Sequence, residues 1–236
     1  MIGSAPLLSA SAVALALLVS PVHADSKPIQ ADEFVGIDLA NGIKAVITPG
    51  EAVSVTAQSS RAGDIADLKT SVTNGVLHAS YDWSIWHIFD FSGRDMTLAI
   101  TMPELDSIAV SGGSSVGVNS VASDDLKIDA SGGGSVKMIA ASAKRYTIGA
   151  SGGATVVISG TCYNASVNAS GGATVTLRDL VCADVTVDVS GGAHLTASAT
   201  ASAAGNASGG ADVSIAGHPA LAQIEASGGG KIDYPN

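Results

Sequence analysis

Apolar and polar residues alternate along the second half of the chain, on both sides of a repeated Ser-Gly-Gly. When the copies are aligned on the serine, the position three before it is Ile or Val in six of seven copies. The position five after it is Val, Leu or Ile in all seven. The aligned serines are Ser111, Ser131, Ser151, Ser170, Ser190, Ser208 and Ser227. Alternation with a period of two predicts short β-strands that have one buried and one solvent-exposed face.

The steps between these serines are 18 to 20 residues, and so short a repeat cannot bury its apolar face alone. Aligned columns of like residues favour coils that stack like on like, about 4.8 Å apart. Glycine suits the bend because it tolerates positive φ and close backbone approach. We therefore predict an all-β fold, a right-handed parallel β-helix or β-solenoid with coils of about 20 residues. A β-prism or a sandwich of antiparallel hairpins is the alternative.

The first part of the chain lacks Ser-Gly-Gly but keeps strand signals. Alternating stretches surround the Asn41-Gly42 and Asn74-Gly75 turns, and a short helical turn is expected near residues 62–67. No linker-like stretch separates this part from the repeats. We interpret residues 25–236 as one β-solenoid domain, with irregular N-terminal strands and a cap in 25–105 and the repeat coils in 106–236.

Residues 1–24 have the features of a signal peptide. An apolar run is followed by small residues at Val22 and Ala24, which predicts cleavage after Ala24. The run is short and rich in Ala and Ser, so no transmembrane segment is expected in the exported chain. The expected location is the periplasm, the cell surface or the extracellular space.

The two cysteines occupy the same column of adjacent copies. Cys162 lies eight residues before Ser170, and Cys182 lies eight residues before Ser190. Stacked coils would bring their Cα atoms to about 5 Å, which is within the range of a disulfide. We predict a Cys162–Cys182 disulfide, as an exported protein can form.

Charge narrows the classes of partner. The formal net charge is -10 with only 11 Lys and Arg among 236 residues. Because no excess of basic residues exists to neutralise phosphates, nucleic acid and anionic membrane surfaces are not expected partners.

Several segments together resemble a known bacterial family. They are "FVGIDLANGIKAVITPG", "TNGVLHASY", "LAITMPELDSIAVSGGSSV" and "SGGGKIDYP". The family is the one described as "putative auto-transporter adhesin, head GIN domain", and the resemblance covers residues 34–235. It implies an exported β-helical fold and an adhesin-like role, with no catalytic residues to transfer. The chain departs from the family pattern in its aromatic residues 81–95 and in its cysteine pair.

That aromatic stretch holds five of the nine aromatic residues in the chain. Such rings at a surface could stack on a glycan or grip a cell-surface protein. The alternative is a hydrophobic cap over the open end of the solenoid, which terminal coils need. The candidate binding residues are Tyr81, Trp83, Trp86, Phe89 and Phe91.

No metal site and no cofactor are expected. His87, Asp90 and Asp95 share the aromatic stretch, but their spacing matches no standard ligand pattern.

One column, four residues after the serine, combines hydroxyl, imidazole and carboxylate side chains as a catalytic triad does. Neighbours on a flat exposed face point side by side, so we interpret this column as a surface ladder of polar side chains. Its members are Thr174, His194, Asp212 and Lys231.

The predicted function is an exported, non-enzymatic surface or envelope protein, an adhesin-like binding scaffold with no catalytic residues. The alternative is a carbohydrate-active β-helix enzyme, a polysaccharide lyase or hydrolase. Such an enzyme needs clustered carboxylates, whereas the acidic residues here are dispersed. A groove with two or more facing carboxylates would favour the enzyme, and an exposed aromatic surface would favour binding.

Overall fold

A computed structural model describes residues 25–81 and 95–235 of the chain. It is 68% strand and 2% helix, and forms a β-solenoid of about six turns with coils of about 20 residues. The predicted fold class is therefore confirmed. The predicted signal peptide, residues 1–24, lies outside the described residues. Within the described residues, no helix combines the length and hydropathy needed to cross a membrane.

Short strands and one short helix form the N-terminal part, and longer strands form the repeat coils. In chain order the elements are β1 (Asp25–Ile29), β2 (Gly36–Leu39), β3 (Lys44–Pro49), β4 (Ser54–Ser59), α1 (Ala62–Ala66), β5 (Leu68–Thr73), β6 (Val76–Tyr81), β7 (Met96–Met102), β8 (Ser107–Val110), β9 (Ser115–Asn119), β10 (Ala122–Ala130), β11 (Ser135–Ala150), β12 (Thr155–Ala169), β13 (Thr174–Val189), β14 (His194–Ala207), β15 (Asp212–Ala216), β16 (Leu221–Ala226) and β17 (Lys231–Asp233).

Each repeat coil has three sides, as the burial of β11 illustrates. Buried and exposed residues alternate along this strand except at two exposed pairs, residues 139–140 and 144–145. A chain that keeps alternate side chains inside on both sides of an exposed pair must bend there. These two bends and the Ser-Gly-Gly corner divide the coil into three sides. We call the one formed by residues 141–144, and by their equivalents in neighbouring coils, the short side.

The coils stack in parallel register, which places like residues on like residues. Ile128 pairs with Ile148, and Ile148 pairs with Val167. These residues occupy the position three before the serine. In the first five Ser-Gly-Gly copies the residue at this position is 0–1% exposed; the five residues are Ile108, Ile128, Ile148, Val167 and Val187. Val, Ile, Leu and Ala therefore fill the interior as one continuous core.

The backbone conformation and the close stacking of the Ser-Gly-Gly corner explain why glycine recurs there. The first glycine of each copy has positive φ, for example +67° at Gly152 and +68° at Gly171. The backbone N–H of Gly172 donates to the carbonyl of Gly152 in the preceding coil at 2.8 Å. A Cβ on Gly171 would lie 3.1 Å from the backbone nitrogen of Gly152. The corner thus needs glycine for both its conformation and its close stacking.

Residues 36–49 form a regular coil, although no Ser-Gly-Gly marks it. β2 pairs in parallel with β6 and with β8, and β3 pairs in parallel with β7 and with β9. Asn41 and Gly42, with φ of 65° and 82°, make the corner between β2 and β3. β6 and β7 therefore lie on one side of this coil, and β8 and β9 lie on its other side. The order of coils in space thus differs from their order in the chain.

Antiparallel strands cover the N-terminal end of the stack. β4 pairs with β7 and β1 pairs with β4, both antiparallel. β5 and β6 form a hairpin across Asn74 and Gly75, with Thr73 opposite Val76. The short helix α1 lies where the sequence predicts it. β4 and β5 thus pair with the edges of β7 and β6.

Candidate functional site

Tyr81, the first of the predicted binding residues, is buried. It is the last residue of β6, is 4% exposed and belongs to the hydrophobic core. The other four, Trp83, Trp86, Phe89 and Phe91, lie in residues 82–94, outside the described residues. Ligand binding by this stretch therefore stays a prediction, and Tyr81 contributes to the packing of the core.

The two strands that flank the aromatic stretch, β6 and β7, are placed by their pairing. β6 stacks on β2, and β7 stacks on β3. In the neighbouring coil, residues 40–43 connect β2 to β3. Asp95, whose spacing from His87 and Asp90 matches no standard ligand pattern, is paired with Lys44 at 2.9 Å between Oδ1 and Nζ.

A groove of about 750 Å³ lies on the short side. It crosses three stacked coils, through residues 122–124, 142–144 and 161–163, and reaches Pro103 and Glu104 at one end. Its volume lies within the range of natural small-molecule sites, about 300–1,000 Å³. This groove is the candidate functional site.

An exposed tyrosine and two hydroxyl groups form one end of the groove. The side chain of Tyr163 is 68% exposed, whereas most described aromatic side chains lie in the core. Beside it, the hydroxyls of Ser142 and Thr161 lie 3.4 Å apart on adjacent coils. The groove therefore combines a flat apolar ring with groups that can both donate and accept hydrogen bonds.

A charged pair forms the middle of the groove. Lys144 Nζ lies 2.8 Å from Asp124 Oδ1, and it also donates to Oδ2 at 2.8 Å. The two side chains are 74% and 75% exposed, so the pair contributes little to stability and remains accessible to a ligand. A second exposed pair, Arg145 with Asp125, continues around the adjacent bend.

The predicted disulfide is present and lies in the lining of the groove. Cys162 and Cys182 are register partners on β12 and β13, with Cα atoms 4.5 Å apart. Cys162 is the residue before Tyr163. The covalent link therefore fixes the backbone that carries the exposed ring.

The two carboxylates of the groove belong to one column. Glu104 precedes Asp124 by 20 residues, which is one coil, and Asp124 precedes Lys144 by the same step. Residues in one column project from the same wall, as neighbours in a parallel ladder do. The arrangement thus differs from two carboxylates that face each other across a bound sugar.

The polar column that resembled a triad is a ladder in the structure. Thr174 pairs with His194, His194 with Asp212, and Asp212 with Lys231. His194 Nδ1 lies 4.0 Å from Asp212 Oδ2, and both side chains are at least half exposed. Another exposed neighbour pair, Lys127 with Asp129 at 2.8 Å, raises the pKa of Lys127 through its hydrogen bond and charge.

Sequence reasoning missed the groove, although the repeat alignment contained the signal. The column seven residues before the serine carries the groove's charged and aromatic side chains. Its members are Glu104, Asp124, Lys144, Tyr163, Ala183, Ala201 and Ala220. In an alignment whose other outward columns are mostly small, this change from charged to aromatic to alanine distinguishes one end of the solenoid.

Three solved bacterial structures resemble this fold closely, at identities that show the fold alone. An adhesin from Bacteroides fragilis, called putative, has a TM-score of 0.80 at 20% identity and covers 89% of this chain and 96% of its own. An adhesin of the same description from Parabacteroides merdae has a TM-score of 0.65 at 14% identity, covering 89% and 95%. A protein from Parabacteroides distasonis described as a putative lipid binding protein has a TM-score of 0.63 at 15% identity, covering 89% and 96%.

Comparison with curated protein sequences gives no match. The family described as "Putative auto-transporter adhesin, head GIN domain" matches residues 33–219, which are most of the chain and include the groove. The chain belongs to this family.

Proposed function

We propose that the protein is an exported, non-enzymatic, adhesin-like binding scaffold that acts at the cell envelope or cell surface. The observation that carries the proposal is the family match over residues 33–219. The groove supports it, because a regular solenoid presents an extended surface to a ligand without a closed pocket.

Two features support export. The first 24 residues have the sequence pattern of a signal peptide. The Cys162–Cys182 disulfide suits an oxidising compartment, since cytosolic thiols are kept reduced. We therefore expect the working chain to begin near Asp25 and to reach the periplasm, the cell surface or the medium.

The groove supports binding better than catalysis. Asp124 is paired with Lys144, and Glu104 projects from the same wall as Asp124. General acid and base catalysis on a glycosidic bond needs carboxyl groups on opposite sides of that bond. The side chains present can hold a ligand by hydrogen bonds and ring stacking.

The aromatic stretch is a second binding element of the same scaffold. Trp83, Trp86, Phe89 and Phe91 lie within nine residues of one another in the sequence. We propose that these rings contact a glycan or a protein on a cell surface. Tyr81 anchors the stretch in the core.

Binding to whole cells and to glycans tests the function. A fluorescently labelled chain of residues 25–236 would be applied to bacterial and epithelial cells and to a glycan array, beside a W83A/W86A double variant. Saturable binding by the wild type and weaker binding by the double variant are expected. Tyr234→Ala, at an exposed tyrosine outside this stretch, is the matched control.

The competing enzymatic function is tested on the same samples. Incubation with soluble polysaccharides, followed by measurement of reducing ends and of unsaturated sugar products, should give no turnover. Turnover that disappears in a Glu104→Gln or Asp124→Asn variant would replace the binding function with a catalytic one. Absence of the protein from the envelope and culture fractions would contradict export.

A further inference from the structure

We propose that the groove on the short side binds a neutral saccharide chain, with Tyr163 as the platform on which a sugar ring stacks. This inference rests on the proposed binding function and names the class of ligand for the described site.

The exposure of Tyr163 is the first argument. Tyr163 is 68% exposed. Among the other described aromatic residues only Tyr234, at 43%, is also exposed. An aromatic ring that is left in solvent beside hydrogen-bonding groups is typical of a recognition surface. The C–H face of a pyranose ring offers the flat apolar contact that such a ring can cover.

The rigidity of the ring's support is the second argument. The residue before Tyr163 is joined covalently to Cys182 of the next coil. In the preceding coil, Ala143 is the register partner of Cys162. The backbone under Tyr163 is thus held from both neighbouring coils, which lowers the entropy lost when a ligand binds.

The hydrogen-bonding groups beside the ring fit sugar hydroxyls. Ser142 and Thr161 supply hydroxyls, each of which can donate and accept, and they lie 3.4 Å apart. Asp124 supplies acceptors and Lys144 supplies donors from an exposed pair. Sugar hydroxyls both donate and accept, so mixed groups of this kind match them.

Charge indicates that the saccharide is neutral. The groove contains two carboxylates, Glu104 and Asp124, against the single ammonium group of Lys144. The whole chain carries a formal charge of -10. A uronate or sulfated chain would be repelled by both the groove and the remainder of the surface.

The extent of the groove indicates a chain and not a single sugar. It crosses residues 122–124, 142–144 and 161–163 on three consecutive coils. Stacked coils lie about 4.8 Å apart, so the three coils span about 10 Å, which is longer than one pyranose ring. Its direction along the stack matches an extended ligand.

Affinity electrophoresis provides the test. The chain of residues 25–236 would be run in native gels that contain mixed-linkage β-glucan, xylan, galactomannan, soluble starch or polygalacturonate. We expect retardation by at least one of the four neutral polysaccharides and none by the anionic polygalacturonate. Tyr163→Ala should weaken binding at least about ten-fold, as truncation of a central aromatic contact does. Tyr163→Phe should keep binding, because it retains the ring.

Tyr234→Ala is the matched control, since it removes the other exposed tyrosine and should bind as the wild type does. Circular dichroism melting of each variant confirms that the fold is kept. Lack of retardation by all four neutral polysaccharides, preference for polygalacturonate, or wild-type binding by Tyr163→Ala would each overturn the saccharide site. The cell-binding assay with W83A/W86A decides the adhesin-like function separately, so the failure of one is distinguishable from the failure of the other.

Discussion

Gly112 lies directly against Asn41 in the stack of corners. A Cβ on Gly112 would be 3.1 Å from the backbone nitrogen of Asn41, and both residues have left-handed φ, 58° and 65°. The Asn-Gly corner of the coil formed by β2 and β3 is therefore the structural equivalent of Ser-Gly-Gly. Asparagine can stand there because its side chain tolerates the left-handed region better than most.

Asn41 should accept glycine and reject a β-branched residue. Asn41→Val places a branched side chain at φ of 65° and is expected to lower the free energy of unfolding by about 1–3 kcal/mol. Asn41→Gly should leave it within about 0.5 kcal/mol of the wild type. Urea unfolding monitored by circular dichroism measures both. Equal losses in the two variants would contradict the equivalence of the corners.

The first and the second glycine position of Ser-Gly-Gly should differ in their need for glycine. Gly171→Ala adds a Cβ 3.1 Å from the nitrogen of Gly152 at φ of +68°, and should cost about 1–3 kcal/mol. Gly153, the second glycine of the preceding copy, has no positive φ and no atom within 4 Å of an added Cβ. Gly153→Ala is thus the matched control and should be close to neutral. Thermal unfolding of the two variants in parallel makes the comparison, and similar losses in both would argue against close stacking at the corner.

Replacing Tyr146 by phenylalanine should make the protein more stable. Its side chain is fully buried, and its hydroxyl has no hydrogen-bond partner among the described residues. An unsatisfied buried hydroxyl is costly, so Tyr146→Phe is expected to raise the free energy of unfolding by about 1 kcal/mol. Chemical denaturation at pH 8 measures this. A loss of stability would show that the hydroxyl is satisfied in solution.

The same residue predicts a dependence on alkaline pH. Burial raises the pKa of Tyr146 from 10.0 to about 12, because it disfavours the phenolate. Above pH 10 the unfolded chain loses this proton while the folded chain keeps it, so stability falls as the pH rises towards 12. The slope is at most about 1.4 kcal/mol per pH unit. The stability difference between Tyr146→Phe and the wild type should therefore grow between pH 8 and pH 11, and a constant difference would exclude this cause.

The disulfide should stabilise the protein by constraining the unfolded chain. Cys162 and Cys182 are 20 residues apart, and closing a loop of this length is worth about 3 kcal/mol. A Cys162→Ala/Cys182→Ala double variant should lose about that much in urea unfolding. Dithiothreitol should destabilise the wild type and leave the double variant unchanged. If dithiothreitol lowered the stability of both proteins equally, its effect on the wild type would not come from the disulfide.

The repeat part of the fold could be predicted because equivalent residues recur at a fixed spacing, so each copy shows how its neighbours stack. The alternation around each serine identified the inward positions, and the equal offsets of Cys162 and Cys182 identified the disulfide. The helical turn near residue 62 and the turn at Asn74 and Gly75 were predicted from local signals. These features depend on contacts between residues that are close in sequence or one repeat apart.

The coil formed by β2 and β3 was harder to predict, because its partners come from distant parts of the chain. A local pattern around Asn41 and Gly42 fits a hairpin as well as a solenoid corner. The parallel pairing of β2 with β8 and of β3 with β9 shows that the turn is a solenoid corner. The spacing of residues around the turn does not predict this pairing. The groove around Tyr163 was harder to predict, because its residues come from separate coils, whereas Trp83 and Trp86 lie close together in the sequence.

The position of the coil formed by β2 and β3 has a consequence for the order of folding. From the first Ser-Gly-Gly onward, each coil contacts the coil one repeat earlier, and such near-neighbour contacts favour rapid growth. Gly42, however, donates its N–H to the hydroxyl of Ser114, 72 residues later. This early coil can be closed on both sides only after residues 107–119 have left the ribosome or the export channel. The first coil in the sequence is therefore completed later than its position in the chain suggests, at the time when the coil formed by β8 and β9 takes shape.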